Sequence, residues 1–255
     1  MLINYAKNKY SQNGEDGIIL EIAKRLNISL NTNEWCVEFG ACDGKHLSNT
    51  FALVEQGVNA VYIEGNVRAY EDLLKTEAQY PNIRPINAFV SRSAVDENSL
   101  DSLLKKTPIP EDFFLLSIDI DSYDLDVWES TSYQPKIVII EINSAILPGI
   151  ISRYSSKTPG NSFTATLNVG LNKGYQLICH TGNMIFIRKD LLSHLNIQER
   201  FIQYPELLFL YDGPSVSGDP FSQKHPLERI FPKFLIPFAK KIRAFYLIAI
   251  RSFKW

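Results

Sequence analysis

No run of about 18 uninterrupted apolar residues occurs in this chain, so a membrane-spanning helix is not expected. There is no surplus of basic residues either. Its 26 Lys and Arg face 28 Asp and Glu, a formal net charge of −2 that argues against a general nucleic-acid binder. Cysteine is scarce. Cys36, Cys42 and Cys179 form no metal-like pair, and two of them fall in predicted strands. Reduced thiols and a cytoplasmic location are the simple expectation. The opening Met1-Leu2-Ile3-Asn4-Tyr5-Ala6-Lys7 lacks the apolar core of a signal peptide. Internal repeats and low-complexity tracts are also missing. What remains is an ordinary globular composition, 45% apolar and 21% charged over 255 residues, which suits one large α/β domain with an appendage. The domain is expected over 1–215 and a C-terminal extension over 216–255.

The chain is organised around residues 35 to 50. A short β-prone run, Trp35-Cys36-Val37-Glu38-Phe39, ends in an acid and passes through Gly40, Ala41 and Gly44 before Ser48 and helix-start chemistry. Glycines at such a turn let the backbone approach a ligand, and a following helix offers unpaired N–H groups. The spacing is Glu-x-Gly-x-x-x-Gly, not the Gly-x-Gly-x-x-Gly of dinucleotide folds. Acid before the first glycine is the pattern of S-adenosylmethionine (SAM) sites. Further on, Val61-Tyr62-Ile63-Glu64 is a second apolar strand ending in an acid, placed to accept both hydroxyls of a ribose.

The remaining elements alternate. A helix with Ser11 or Asn13 as N-cap is expected within 10–28, and others over 47–55, 68–80, 98–104 and 163–172. Strands are expected over 83–90, 113–121 and 135–142, with a hairpin of 175–180 and 184–188 around Thr181-Gly182-Asn183. This pattern predicts a mostly parallel, doubly wound sheet with an antiparallel hairpin at its end. Residues 144–162 read as a substrate lid, and 189–228 as a helix followed by loop. Residues 231–255 interleave aromatics with Lys and Arg at near-helical spacing and contain no acid. They suit an interfacial helix on anionic lipid, a helix docked on its own domain, or a dimer contact.

In an open α/β sheet, ligands bind beyond the carboxyl ends of the strands. Asp119, Asp121 and Asp124 follow the fourth strand, Glu141 and Asn143 the fifth, and His180 the sixth. One carboxylate or histidine there could act as general base toward an acceptor hydroxyl. Alternatively Asp119, Glu141 and Asn143 could hold Mg²⁺. The plainer reading is that these acids cap turns and that His180 is structural.

Several motifs together resemble the FkbM-like SAM-dependent methyltransferases. They are Ser11-Gln12-Asn13-Gly14-Glu15-Asp16, Val37 through Gly44, Leu100-Asp101-Ser102-Leu103-Leu104, Ser117 through Asp124, Ile139-Ile140-Glu141-Ile142-Asn143, Gly174-Tyr175-Gln176-Leu177 and Asn183-Met184-Ile185-Phe186-Ile187. Cys42 stands where many SAM sites have a glycine, and Ser122 where this family often has one. The resemblance implies the Rossmann-like class I methyltransferase fold with a seven-stranded sheet, SAM as donor, and O-methylation of a sugar or secondary metabolite. The cofactor-facing residues would be Gln12, Asn13, Glu38, Gly40, Ala41, Gly44, Ser48, Glu64, Gly65, Ala88, Phe89 and Asp119. Asp119, Asp121, Glu141, Asn143 and His180 would face a glycan, glycolipid or small-molecule acceptor. A peripheral position on the inner membrane face would follow from the tail. A non-catalytic module on the same fold and a nicotinamide-dependent enzyme remain the alternatives; no nucleic-acid partner is expected.

Overall fold

The structure is a computed structural model that describes residues 1–210. The expected boundary at 216 and the basic aromatic tail lie outside the described residues. Seven strands form one sheet, β1 (Trp35–Phe39), β2 (Asn59–Glu64), β3 (Ile83–Asn87), β4 (Leu115–Ile118), β5 (Ile137–Glu141), β6 (Tyr175–His180) and β7 (Asn183–Arg188), in the order β3-β2-β1-β4-β5-β7-β6. β1 to β5 pair in parallel, while β7 runs antiparallel to β5 and to β6. This is the expected mostly parallel sheet closed by a hairpin. β4 and most of β5 are apolar and buried because helices cover both faces. The sheet therefore separates two cores, one including Trp128, Tyr175 and Phe186 and the other including Phe51, Tyr62 and Ile185. Pro85 sits in β3 without penalty because β3 is an edge strand. Among the described residues no helix is long and apolar enough to cross a membrane.

Helices α1 (Glu15–Arg25), α2 (Phe51–Val54), α3 (Val67–Glu77), α4 (Leu100–Leu104), α5 (Asp124–Ser130), α6 (Phe163–Asn172) and α7 (Glu199–Gln203) precede, connect or follow the strands. Three differ instructively from expectation. α1 has Gly14, at φ +93°, in the N-cap position, where neither Ser11 nor Asn13 sits, although the Ser11 hydroxyl still accepts the Asp16 N–H of the first turn. Instead, the Asp16 carboxylate gathers the amides of Lys9, Tyr10 and Ser11 and folds the preceding loop back on the helix. α2 is four residues, not nine, because Leu47 adopts φ +57° and residues 48–50 are drawn down to Glu38. The helix expected after residue 189 is a 3-10 segment, Lys189–Leu195, separate from α7.

Packing of α6 on the sheet is tight enough to test. A Cβ on Gly170 would lie 2.5 Å from the Phe186 ring and 2.9 Å from Trp128. Both rings are fully buried and their centroids are 4.9 Å apart. Alanine gains about 1 kcal/mol over glycine in a helix interior, whereas overpacking a filled core costs about 1–3 kcal/mol. Gly170→Ala is therefore expected to lower the Tm in a thermal melt. A variant melting at or above wild type would show that the aromatic pair yields.

Candidate active site

The carboxyl ends of the parallel strands lie on one edge, and contacts link them in sheet order. At β3, Phe89 is 77% exposed and its ring covers Gly65, where a Cβ would lie 2.3 Å from it. Ala88 is half-buried and donates its N–H to the carbonyl of Glu64. At β2, the half-buried Glu64 carboxylate accepts from the N–H of Cys42 at 2.8 Å and of Asn66 at 2.7 Å. At β1, Gly40 takes φ +78°, and a Cβ there would lie 1.8 Å from the carbonyl oxygen of Asp119. Only glycine allows the first and fourth strand tips to approach this closely.

The amides of the Gly40 turn are not free. Gly40 and Ala41 both donate to the carbonyl of Ile63, Gly44 donates to Ala41, and the Asp43 carboxylate caps Lys45 and His46. The expected helix N-terminus at this turn is replaced by these bonds. A ligand here would meet bare glycine backbone and the Glu64 carboxylate, a poor cradle for phosphate and a suitable one for a ribose. Gly44 faces inward, where a Cβ would meet Leu73 and the Tyr62 ring. Glu38 and Ser48 are also below the rim. Glu38 is buried and accepts from Ser48 Oγ at 2.5 Å, Thr50 Oγ1 at 2.6 Å and the Asn49 N–H at 2.9 Å. Burial raises its pKa while these donors oppose the rise. Glu38 and Ser48 thus hold the loop under the turn instead of presenting oxygens at its surface.

Next along the rim, Asp119, Asp121 and Glu141 bring one carboxylate oxygen each within 4.8 Å of one another. Burial raises the pKa of Asp119 first, followed by the charges of Glu141, Asp124 and Asp121. Glu141 is likewise raised by burial and by Asp121, but lowered by a hydrogen bond from Asp119. The directions make Asp119 the protonated partner, donating to the Glu141 carboxylate, and the two titrate as a unit. Asp121 adopts φ +56°, so the turn bends at the acid itself, one residue before Ser122. Asp124 stays apart. It is buried and accepts from the N–H groups of Ile120 and Ser122, fixing the turn that carries the other two acids.

Two expected site residues are elsewhere. Asn143 donates to the carbonyl of Pro159 and accepts from the Ala145 N–H, so its amide organises the following loop. His180 is 1% exposed, its Nδ1 accepts from the Leu210 N–H, and its Nε2 is 3.1 Å from Ser144 Oγ. Burial lowers its pKa to about 3, so it is neutral with both nitrogens engaged, and no base role is open to it. Asn13, beside the half-buried Gln12, packs on the hairpin turn, where a Cβ on Gly182 would lie 2.9 Å from its Nδ2. Glu15 ties this segment down through Thr181 and Asn183, and Asn183 is the β7 partner of Glu141. The 144–162 segment expected as a lid is pinned by Ser152–Ser162, Asn143–Asn161 and Gly149–Thr164 bonds and by Arg153 on Asp126 and Glu129. The sequence reading missed Arg92. It stacks 4.4 Å above the Tyr123 ring, which meets Tyr154 edge-on at 5.0 Å, and no local motif marks this pairing.

No family model and no curated protein matches this chain. Solved structures do resemble it. The N-terminal domain of EvdMO1, determined in the presence of SAH and D-fucose, is 11% identical over 72% of this chain and 85% of its own, with a TM-score of 0.44. M. capricolum TrmK in complex with S-adenosyl-homocysteine is 13% identical over 75% and 76%, with a TM-score of 0.43. Aeropyrum pernix fibrillarin with natively bound S-adenosyl-L-methionine is 13% identical over 66% and 73%, with a TM-score of 0.42. The strand order, not these distant likenesses, carries the fold.

The raised acids have a stability consequence. Between the ordinary carboxylate range and its raised value, folded Asp119 binds a proton that the unfolded chain releases, so stability falls as pH rises through that window. Asp119→Asn removes this contribution. The variant is expected to lose less Tm than wild type between about pH 5 and about pH 8. Parallel melting curves across that range would contradict the shared proton.

Proposed function

We propose that this chain is a SAM-dependent O-methyltransferase, related to the FkbM-like enzymes, acting on a hydroxyl of a glycan, glycolipid or polysaccharide precursor. The observation that carries the reading is the direct contact of the Gly40 turn with the acid rim at Asp119. It puts the candidate donor cradle on the strand tip next to Asp119, the acid that neighbours the candidate base Glu141 on β5.

The residues fit the cofactor. Glu64 keeps lone pairs for ribose hydroxyls beyond its two amide bonds, and Phe89, packed on Gly65, offers an exposed aromatic face for a base. When bound, SAM supplies an electrophilic methyl on a sulfonium. Glu64 and Phe89 would hold it so that its methyl could pass to an acceptor oxygen, the thioether leaving with the S–C electron pair. Glu141 takes the hydroxyl proton; its raised pKa makes it a stronger base than a solvated carboxylate. Asp119 orients Glu141 by the hydrogen bond it donates, and positioning contributes the rest of the barrier lowering.

A second reading is favoured by the three clustered carboxylate oxygens. Asp119, Asp121 and Glu141 form an all-oxygen donor set suited to Mg²⁺, which would acidify a bound hydroxyl. In the first reading, activity persists in EDTA; in the second, it is lost and Mg²⁺ restores it.

Calorimetry is expected to show SAM binding, weakened about tenfold or more by Glu64→Gln through loss of a charge-assisted ribose contact. Glu141→Gln should keep that affinity and lose methyl transfer by about a hundredfold or more. No SAM binding at millimolar concentration would favour a non-catalytic module, and NADH binding a nicotinamide enzyme.

A further inference from the structure

Negative charge gathers at the carboxyl end of the sheet and is not neutralised there. Glu38 and Glu64 belong to β1 and β2, Asp119 and Asp121 follow β4, Glu141 ends β5, and Asp16 in the first turn of α1 is close enough to act on Glu38. Among the described residues none of these acids makes an ion pair; every ion pair there uses other carboxylates. The charged groups that act on Asp119 and Glu141 are themselves acids, with Asp121 and Asp124 acting on both. Asp16 adds an independent sign. It is 3% exposed, its Oδ2 is taken by the amides of Lys9, Tyr10 and Ser11, and its Oδ1 has no partner among the described residues. A buried carboxylate oxygen without a donor is costly, and a positive ligand nearby relieves that cost.

Cations on the neighbouring loops do not offset this charge. Arg68 and Arg92 are exposed, and Arg92 is stacked on Tyr123. Salt screens exposed charges, whereas recessed ones such as Asp119 and Glu141 act through a lower dielectric.

Donor and product differ in charge at one atom: SAM carries a sulfonium, S-adenosyl-homocysteine a neutral thioether. As the S–C bond breaks and the O–C bond forms, Glu141 receives the hydroxyl proton. The transfer then ends with a neutral ligand beside Asp121, which keeps its charge. We propose that these carboxylates make the site select its ligand by charge, holding the cationic donor more tightly than the neutral product. Product release then has a driving force that needs no movement of the pinned 144–162 segment. The inference rests on the methyltransferase reading and adds to it which ligand state the site prefers. Asp119 and Glu141 share one proton and one charge, and loss of either carboxyl leaves the other to carry that charge. Asp121 is therefore the acid whose removal lowers the charge of the rim.

The test is calorimetric titration of the full chain with SAM, S-adenosyl-homocysteine and sinefungin, which has a protonated amine in place of the methyl sulfonium. Wild type is expected to bind SAM and sinefungin about tenfold or more tighter than S-adenosyl-homocysteine at low salt, and the difference to narrow as salt is raised. Asp121→Asn keeps the backbone, since asparagine tolerates the left-handed conformation at φ +56°. It should weaken both cationic ligands about threefold or more and leave S-adenosyl-homocysteine unchanged, which also shows that the variant is folded. Equal or tighter binding of S-adenosyl-homocysteine by wild type would overturn the proposal. So would a preference for SAM that sinefungin does not share, because the methyl group and not the charge would then be recognised. Equal weakening of all three ligands in Asp121→Asn would overturn it as well. Each of these results leaves the methyltransferase reading standing, whereas binding of none of the three would remove that reading and this inference with it.

Discussion

The site depends on one close approach: the backbone of Gly40 against the carbonyl of Asp119. No other residue type fits there, since a side chain would have to occupy the space of that oxygen. The contact joins the tip of β1, which carries the glycine turn, to the tip of β4, which carries the acids. Without it the two candidate halves would be separate features of neighbouring strands. With it, the glycine turn and the acids form one continuous rim.

The acids themselves are held by groups outside the rim. Asp124 fixes the 120–122 turn from below, and β5 brings Glu141 beside Asp119 by parallel pairing of Ile118 with Ile140. Burial then penalises charge on both; Glu141 raises Asp119 further, while the hydrogen bond from Asp119 lowers Glu141. A shared proton is the low-energy response when like charges are close and partly desolvated. Glu38 plays a different part: its oxygens are fully engaged by Ser48, Asn49 and Thr50, and Thr50 passes the network on to the Tyr62 hydroxyl. It supports the turn from the core.

The parts legible in the sequence were those set by local pattern. Apolar runs such as Val138-Ile139-Ile140 gave buried parallel strands, the Thr181-Gly182 turn gave the hairpin, and α6 spans the 163–172 expected for it. Acid-tipped strands also pointed to the correct edge for Glu64, Asp119 and Glu141. What could not be read was the choice of partner across the fold. Glu38 looks like a ligand-facing acid until its three donors, ten to twelve residues on, are seen to take it. His180 looks like a strand-tip base until Leu210 and Ser144 occupy its two nitrogens. Asn143 is diverted to Pro159 in the same way, and Asp121 takes its expected place by an unusual backbone angle that no spacing rule reveals.

The measurement that bears most directly on the central claim is a crystal structure of the chain with S-adenosyl-homocysteine. The account predicts the ribose hydroxyls on Glu64, the base against Phe89, and the thioether sulfur over Gly40 facing Asp119 and Glu141. A ligand bound elsewhere, or one whose sulfur points away from the two acids, would contradict it.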